Sequence, residues 1–237
     1  MRRRSGEIDM INGPLLGKIG LFAIPLALTG VLQLLFNAVD IIVVGQYEGE
    51  LAVAAVGSTG SLINLIVCLF VGVSVGVNIS LAMSIGRRDD KSTSDIVHTA
   101  MTVATMFGIF VGAVGFLCAR RFLLWMGSPS DVIDLAARYM RIYFLGAPCF
   151  MLYTFGSAVM RSRGDTRRPM VYLMIAGVSN VFLNLLLVVV FHMGVAGVAL
   201  GTVLSQIIST VLVTLRLLHL SPDDPCKLKF ANIQDLL

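Results

Sequence analysis

The sequence predicts an all-α integral membrane protein with six transmembrane helices. Composition is the first reason: apolar residues make up 57% of the 237 and charged residues 14%, whereas a soluble domain carries about 25% charged residues. Mean hydropathy, at +0.87, is the second. The third is that six apolar segments recur, each reaching the roughly 20 residues a helix needs to cross about 30 Å of hydrocarbon. Strand-like alternation is absent, which argues against a β-barrel.

The segments fall at 18–44, 52–85, 96–119, 132–160, 169–191 and 195–219. Span 1 contains Pro25, which removes a helical hydrogen bond half a span before Asp40 and predicts a kink or hinge. Span 2 carries Gly72 and Gly76 at G-x-x-x-G spacing, and Gly108, Gly112 and Gly115 line span 3. Small residues of this kind let helix backbones approach closely in lipid. Spans 2 and 4 exceed the bilayer thickness, so they should tilt, bend or project, and Pro148 predicts a break within span 4. Arg138 and Arg141 are expected to snorkel to the outer interface, with Tyr139, Tyr143 and Trp125 as interfacial anchors. Span 5 holds Asn180 and Asn184, and span 6 opens with Gly194, Gly197 and Gly201.

The basic residues set an orientation. Fourteen of the eighteen Lys and Arg fall before span 1 or at its start, between spans 2 and 3, between spans 4 and 5, or at the end of span 6 and after it. The positive-inside rule then places both termini in the cytoplasm. Residues 1–17 form the N-terminal segment, 18–219 the membrane lobe and 220–237 a cytoplasmic tail. In that tail LKFANIQDLL starts an amphipathic helical pattern that stops, so the chain reads as interrupted. Nucleic acid binding is not expected, because the basic residues are divided among four short segments. Cys68, Cys118, Cys149 and Cys226 form neither a disulfide framework nor a metal cluster by spacing. His98, His192 and His219 read as interfacial residues at span ends. No nucleophile elbow, phosphate loop or His cluster suggests an enzyme.

Asp40 is the only acidic residue deep inside an apolar span. A carboxylate there costs roughly 2.5–3.5 kcal/mol on insertion scales and marks an ion or proton pathway by default. Gln33, Asn37 and Asp40 recur at spacings of four and three, which puts them on one helical stripe. Asp40 should lie roughly 6–9 Å from the outer end of span 1 at 1.5 Å per residue. Asn180 and Asn184 share a face of span 5, and Thr202, Ser205, Gln206 and Ser209 share one side of span 6. If spans 1, 5 and 6 meet, one carboxylate, two amides and a hydroxyl share a cavity. Such oxygen-rich sites suit a proton with ordered water or a hard cation such as Na⁺ at Asp40.

The ordered set IGLFAIPLALTGVLQLLFNAVDIIVVG, LAVAAVG, SIGRRDD, RSRGDTRRPM, NVFLN and GVAGVALGT resembles the MATE (multidrug and toxic compound extrusion) family, from about residue 15 to 230. The resemblance implies one six-helix lobe of a twelve-helix transporter in the cell membrane. It also implies efflux of drugs or other organic, often cationic, compounds in exchange for H⁺ or Na⁺, with no further cofactor. Asp40, Asn180 and Thr202 match the family's first-lobe cation site, and Pro25 matches the proline proposed to bend on protonation. Asn184 stands where the family often has a second acid, which removes one negative charge. Gln33, Asn37 and Gln206 are the remaining polar candidates for a substrate cavity. With one lobe in hand, either the chain is part of a longer transporter or two copies form a homodimer. A lipid-linked oligosaccharide flippase, which shares this fold, and an inactive remnant or scaffold are the alternatives.

Overall fold

The computed structural model describes residues 15–221 and 224–228. Its helices are α1 (Leu15–Glu48), α2 (Glu50–Gly86), α3 (Asp90–Trp125), α4 (Ile133–Leu145), α5 (Ala147–Ser162), α6 (Arg167–Leu185) and α7 (Gly194–Leu218), with a π-helical turn Leu186–Val190 continuing α6. Five of these elements are long and apolar enough to cross a membrane. The pair α4 and α5, bent by 48°, makes a sixth crossing. The chain is a multi-pass, all-helical membrane protein. The N-terminal arginines and nearly all of the amphipathic pattern in the tail lie outside the described residues.

Helices run beyond the apolar segments. α3 begins at Asp90 rather than near residue 96, because hydropathy marks only the lipid-buried part of a helix while capping extends it. The Asp89 carboxylate accepts from the Ser92 amide at 3.0 Å, satisfying one of the amides that a helix start leaves without a partner. That amide, helped by the Ser92 hydroxyl, holds the Asp89 carboxyl below the usual carboxylate range. Between α1 and α2 there is a single residue, Gly49, at φ +83°, a conformation glycine adopts without a Cβ penalty.

The expected break in span 4 falls at Gly146, whose amide bonds to the Tyr143 carbonyl at 2.9 Å. Pro148 follows in the first turn of α5, where its missing N–H costs nothing. Pro25, by contrast, lies inside an unbroken α1, where Thr29 Oγ1 donates to the Pro25 carbonyl at 2.7 Å.

The glycines of α3 let it lie directly on this bend. A Cβ at Gly108 would sit 2.7 Å from Pro148 Cα, and one at Gly112 2.8 Å from the Phe144 carbonyl oxygen. At Gly115 it would overlap the Phe144 ring. Gly72 and Gly76 do not behave this way. Both are exposed with open space around the Cβ position, so their G-x-x-x-G step packs no helix among the described residues. Spacing gives a small-residue face, and whether a partner covers that face depends on the bundle.

Two ends of the bundle differ. At one, Phe70, Leu81, Val97, Met151, Phe155, Val213 and Leu217 form a core that Cys226 and Leu228 close from the segment after α7. His98 belongs to this buried end, with Nδ1 2.7 Å from the Ser94 carbonyl oxygen. Its ring is thus packed inside the protein rather than on the surface, and its own helix supplies the hydrogen bond that burial demands. At the other end Val43, Val44, Tyr139, Val188, Val195 and Val198 pack together, next to the one carboxylate of α1.

Candidate functional site

Asp40 lies one turn before Val43 and Val44 on α1 and is 8% exposed. α1 continues eight residues past it to Glu48, so it sits about 12 Å from the helix end, deeper than the apolar segment alone suggested. From α6, Asn184 Nδ2 donates to Asp40 Oδ1 at 2.5 Å and to Asn180 Oδ1 at 3.3 Å. Asn180 Nδ2 donates in turn to Thr202 Oγ1 on α7 at 3.4 Å, and Thr202 donates to the Val198 carbonyl at 3.0 Å. The Thr202 hydroxyl also interacts with the Asp40 carboxylate. Spans 1, 5 and 6 thus meet, and Asp40, Asn180, Asn184 and Thr202 form one hydrogen-bonded chain through the bundle.

Local structure fixes this chain. Asn180 and Asn184 are one helical turn apart, so they present their amides along one line. The π-helical turn begins two residues beyond Asn184, where the wider i→i+5 pattern alters the helix next to a polar site. Across from it, Gly201 has no Cβ, and one placed there would overlap the Asn184 side-chain oxygen. Asn184 Oδ1 is buried without a hydrogen-bond partner among the described residues. An unmatched acceptor in a low-dielectric interior is costly, and it lies against Gly201 while the Nδ2 of the same amide holds Asp40 and Asn180.

The other expected residues divide. Gln206 lines a small, partly open pocket between α2, the α4–α5 bend and α7, and Thr202 reaches the same pocket. Its walls include Phe70, Tyr143, Phe144 and Phe150, and Gln206 Oε1 is buried without a hydrogen-bond partner among the described residues. Thr202 therefore joins the Asp40 chain to an apolar cavity. Gln33 and Asn37 stand apart, on the exposed side of α1. Ser205 and Ser209 bond back to the Thr202 and Gln206 carbonyls of their own helix.

Two residues near the site have a different place from the one expected. Tyr139 is 6% exposed and packs in the core against the valines around Asp40, with its ring stacked on Tyr143 at 6.3 Å. Both phenols lie within electrostatic range of the Asp40 carboxylate. Neighbouring Arg138 and Arg141 are exposed, and they made the whole turn look interfacial. The i, i+4 spacing of the two tyrosines was the signal for a shared inward face. Trp125, expected beside them, is strongly exposed.

Comparison with known proteins agrees with this architecture. The MatE family model matches residues 25–186, and the chain belongs to the MATE family. It is 30% identical over 198 residues to Probable multidrug resistance protein YpnP of Bacillus subtilis, covering 84% of this chain and 44% of that protein. It is 31% identical over 193 residues to Probable multidrug resistance protein YoeA of the same organism, covering 80% and 42%. A crystal structure of MATE in the bent conformation superposes with a TM-score of 0.85 at 23% identity, over 92% of this chain and 48% of that one. The chain spans about half the length of the curated relatives it matches.

Proposed function

We propose that this chain is the cation-coupling lobe of an antiporter that exports drugs or other organic, often cationic, compounds in exchange for H⁺ or Na⁺. The observation that carries the reading is the buried Asp40 carboxylate, held by Asn184, whose own oxygen has no hydrogen-bond partner among the described residues. The Asp40 carboxylate, Asn180 Oδ1, Asn184 Oδ1 and Thr202 Oγ1 are all hard oxygen donors, the set a small cation or a proton with its water uses. Occupancy at Asp40 changes the charge that α6 and α7 must accommodate, and so biases one arrangement of α1 over another. Pro25 supplies the backbone weakness for that rearrangement. Gln206 in the cavity, and Gln33 and Asn37 on the exposed side of α1, would line the substrate route. The names of the two relatives, both multidrug resistance proteins, support drug-like cargo.

Residues 18–219 would form the lobe, with the arginine-rich end and both termini in the cytoplasm of a cell-membrane protein. The exposed apolar sides of α1 and α2 would face lipid, a second lobe or a second copy of this chain. The flippase reading finds no support in the cavity, whose lining contains no basic side chain to hold a diphosphate. The family match and the names of the relatives support a transporter rather than an enzyme.

The test is ion-driven efflux of a fluorescent organic cation by the assembled transporter. Asp40→Asn should abolish gradient-coupled efflux while expression and membrane insertion stay at wild-type levels. Unchanged coupled efflux in that variant would reject the proposal.

A further inference from the structure

Beyond Asn184 the α6 helix changes its winding. Over Leu186–Val190 it is π-helical, with the Phe191 amide donating to the Leu186 carbonyl at 3.1 Å. Such i→i+5 bonding takes in one more residue than the α pattern, and short π segments occur frequently at functional sites. Each residue of an α-helix is about 100° of rotation. The extra residue therefore sets the phase between the part of α6 before it and the chain after it.

Packing fixes both phases. Upstream, Gly177 lies against the Phe36 ring of α1, and Asn180 and Asn184 face Thr202 and Asp40. Downstream, Val188 is buried with Val43 and Val44 of α1, one turn beyond Asp40. Leu187 lies against α7 at Gly197, where a Cβ would sit 3.2 Å from the Leu187 carbonyl carbon. His192, at φ +51°, then ends the helix. The Met193 amide reaches back to the Leu187 carbonyl at 3.0 Å, which fixes that end. With one residue fewer, α6 can keep the downstream contacts or the aim of Asn184, but not both.

We infer that the extra residue of this π turn positions Asn184 against Asp40, and that Gly197 makes the room the turn needs. The inference rests on the reading of Asp40 as the coupling carboxylate. Asn184 is held from two sides, by its bond to Asp40 and by the winding of its own helix. Because Val188 shares a core with Val43 and Val44, a rearrangement of α1 bears on the turn as well, and through it on Asn184. Val190 is exposed, so its deletion takes away the extra residue without opening the core.

The test is infrared spectroscopy of the reconstituted full chain at fixed pH, without an ion gradient. Subtracting the spectrum of the same protein carrying Asp40→Asn isolates the Asp40 carboxyl bands, and Asn184→Ala marks where they fall without the amide bond. Deletion of Val190 should move the bands to the Asn184→Ala position. Val190→Ala, which keeps the chain length, should leave them at the wild-type position. A merely structural turn would lower the unfolding temperature of the deletion variant and leave the bands in place. Unmoved bands in the deletion variant overturn the inference, as do displaced bands in Val190→Ala or identical bands in Asn184→Ala and wild type. Should the deletion variant fail to fold, Gly197→Ala presses the turn away from α7 and should move the same bands; unmoved bands there overturn it too. Absence of ion-coupled efflux in the wild type would count against the coupling reading alone, since the bands report the Asn184 bond whether or not Asp40 carries ions.

Discussion

Asp40, Asn180, Asn184 and Thr202 were legible in the sequence because a polar side chain inside an apolar span is costly enough to demand a reason. What the sequence did not show was which neighbours lie inward. Gln33 and Asn37 share a stripe with Asp40 by spacing, yet only Asp40 is buried. Helical periodicity relates residues to one another and leaves open which edge of the stripe meets the bundle. Tyr139 escaped for a related reason, since exposed arginines on either side of it suggested an interface. The closest steric constraint on the site is Gly201. Gly201→Ala pushes a methyl into the Asn184 side chain, and overpacking of this kind costs about 1–3 kcal/mol. The expected result is a lower unfolding temperature together with weakened ion-coupled efflux, measured on the same purified variant. Normal efflux from Gly201→Ala would show that the Asn184 position tolerates displacement.

Among the elements, the six spans were predicted from hydropathy, and Pro148 marked the break in the fourth. The helices extend beyond their apolar segments because caps and polar turns carry no apolar signal. The Asp89 cap of α3 gives a pH-dependent prediction. Its carboxyl is held below its ordinary value in the folded protein, so its contribution is present above the unfolded value and lost as pH falls through the folded one. Asp89→Ala should therefore lower the unfolding temperature at neutral pH, and the gap from wild type should close in acid. A gap that persists at low pH would rule out the carboxylate as its source. The glycines of α2 and α3 separate in the same way. Gly108→Ala forces a Cβ against the Pro148 backbone and should destabilise by about 1–3 kcal/mol. Gly72→Ala, with open space around it, should stay within about 0.5 kcal/mol. Thermal unfolding of the two variants side by side distinguishes a packed glycine from one that only has the right spacing.

For the whole molecule, the exposed apolar sides of α1 and α2 are the least explained surface, and hydropathy alone could not say whether lipid or protein covers them. The proposed transport route runs along the exposed side of α1 through Gln33 and Asn37. In a background with Cys68, Cys118, Cys149 and Cys226 replaced by Ser, Asn37→Cys should react with a water-soluble maleimide in the assembled transporter. Leu117→Cys, on the strongly exposed apolar side of α3, should not. Silence at Asn37→Cys would place that side of α1 in lipid. The proposed transport function depends on Asp40 exchanging a proton or a cation inside the membrane. The direct measurement is the infrared difference spectrum of the reconstituted protein across pH, with and without Na⁺, for wild type and Asp40→Asn. The account predicts a carboxyl band in wild type that responds to pH or Na⁺ and disappears in Asp40→Asn. An identical ion-dependent spectrum in both proteins would contradict it.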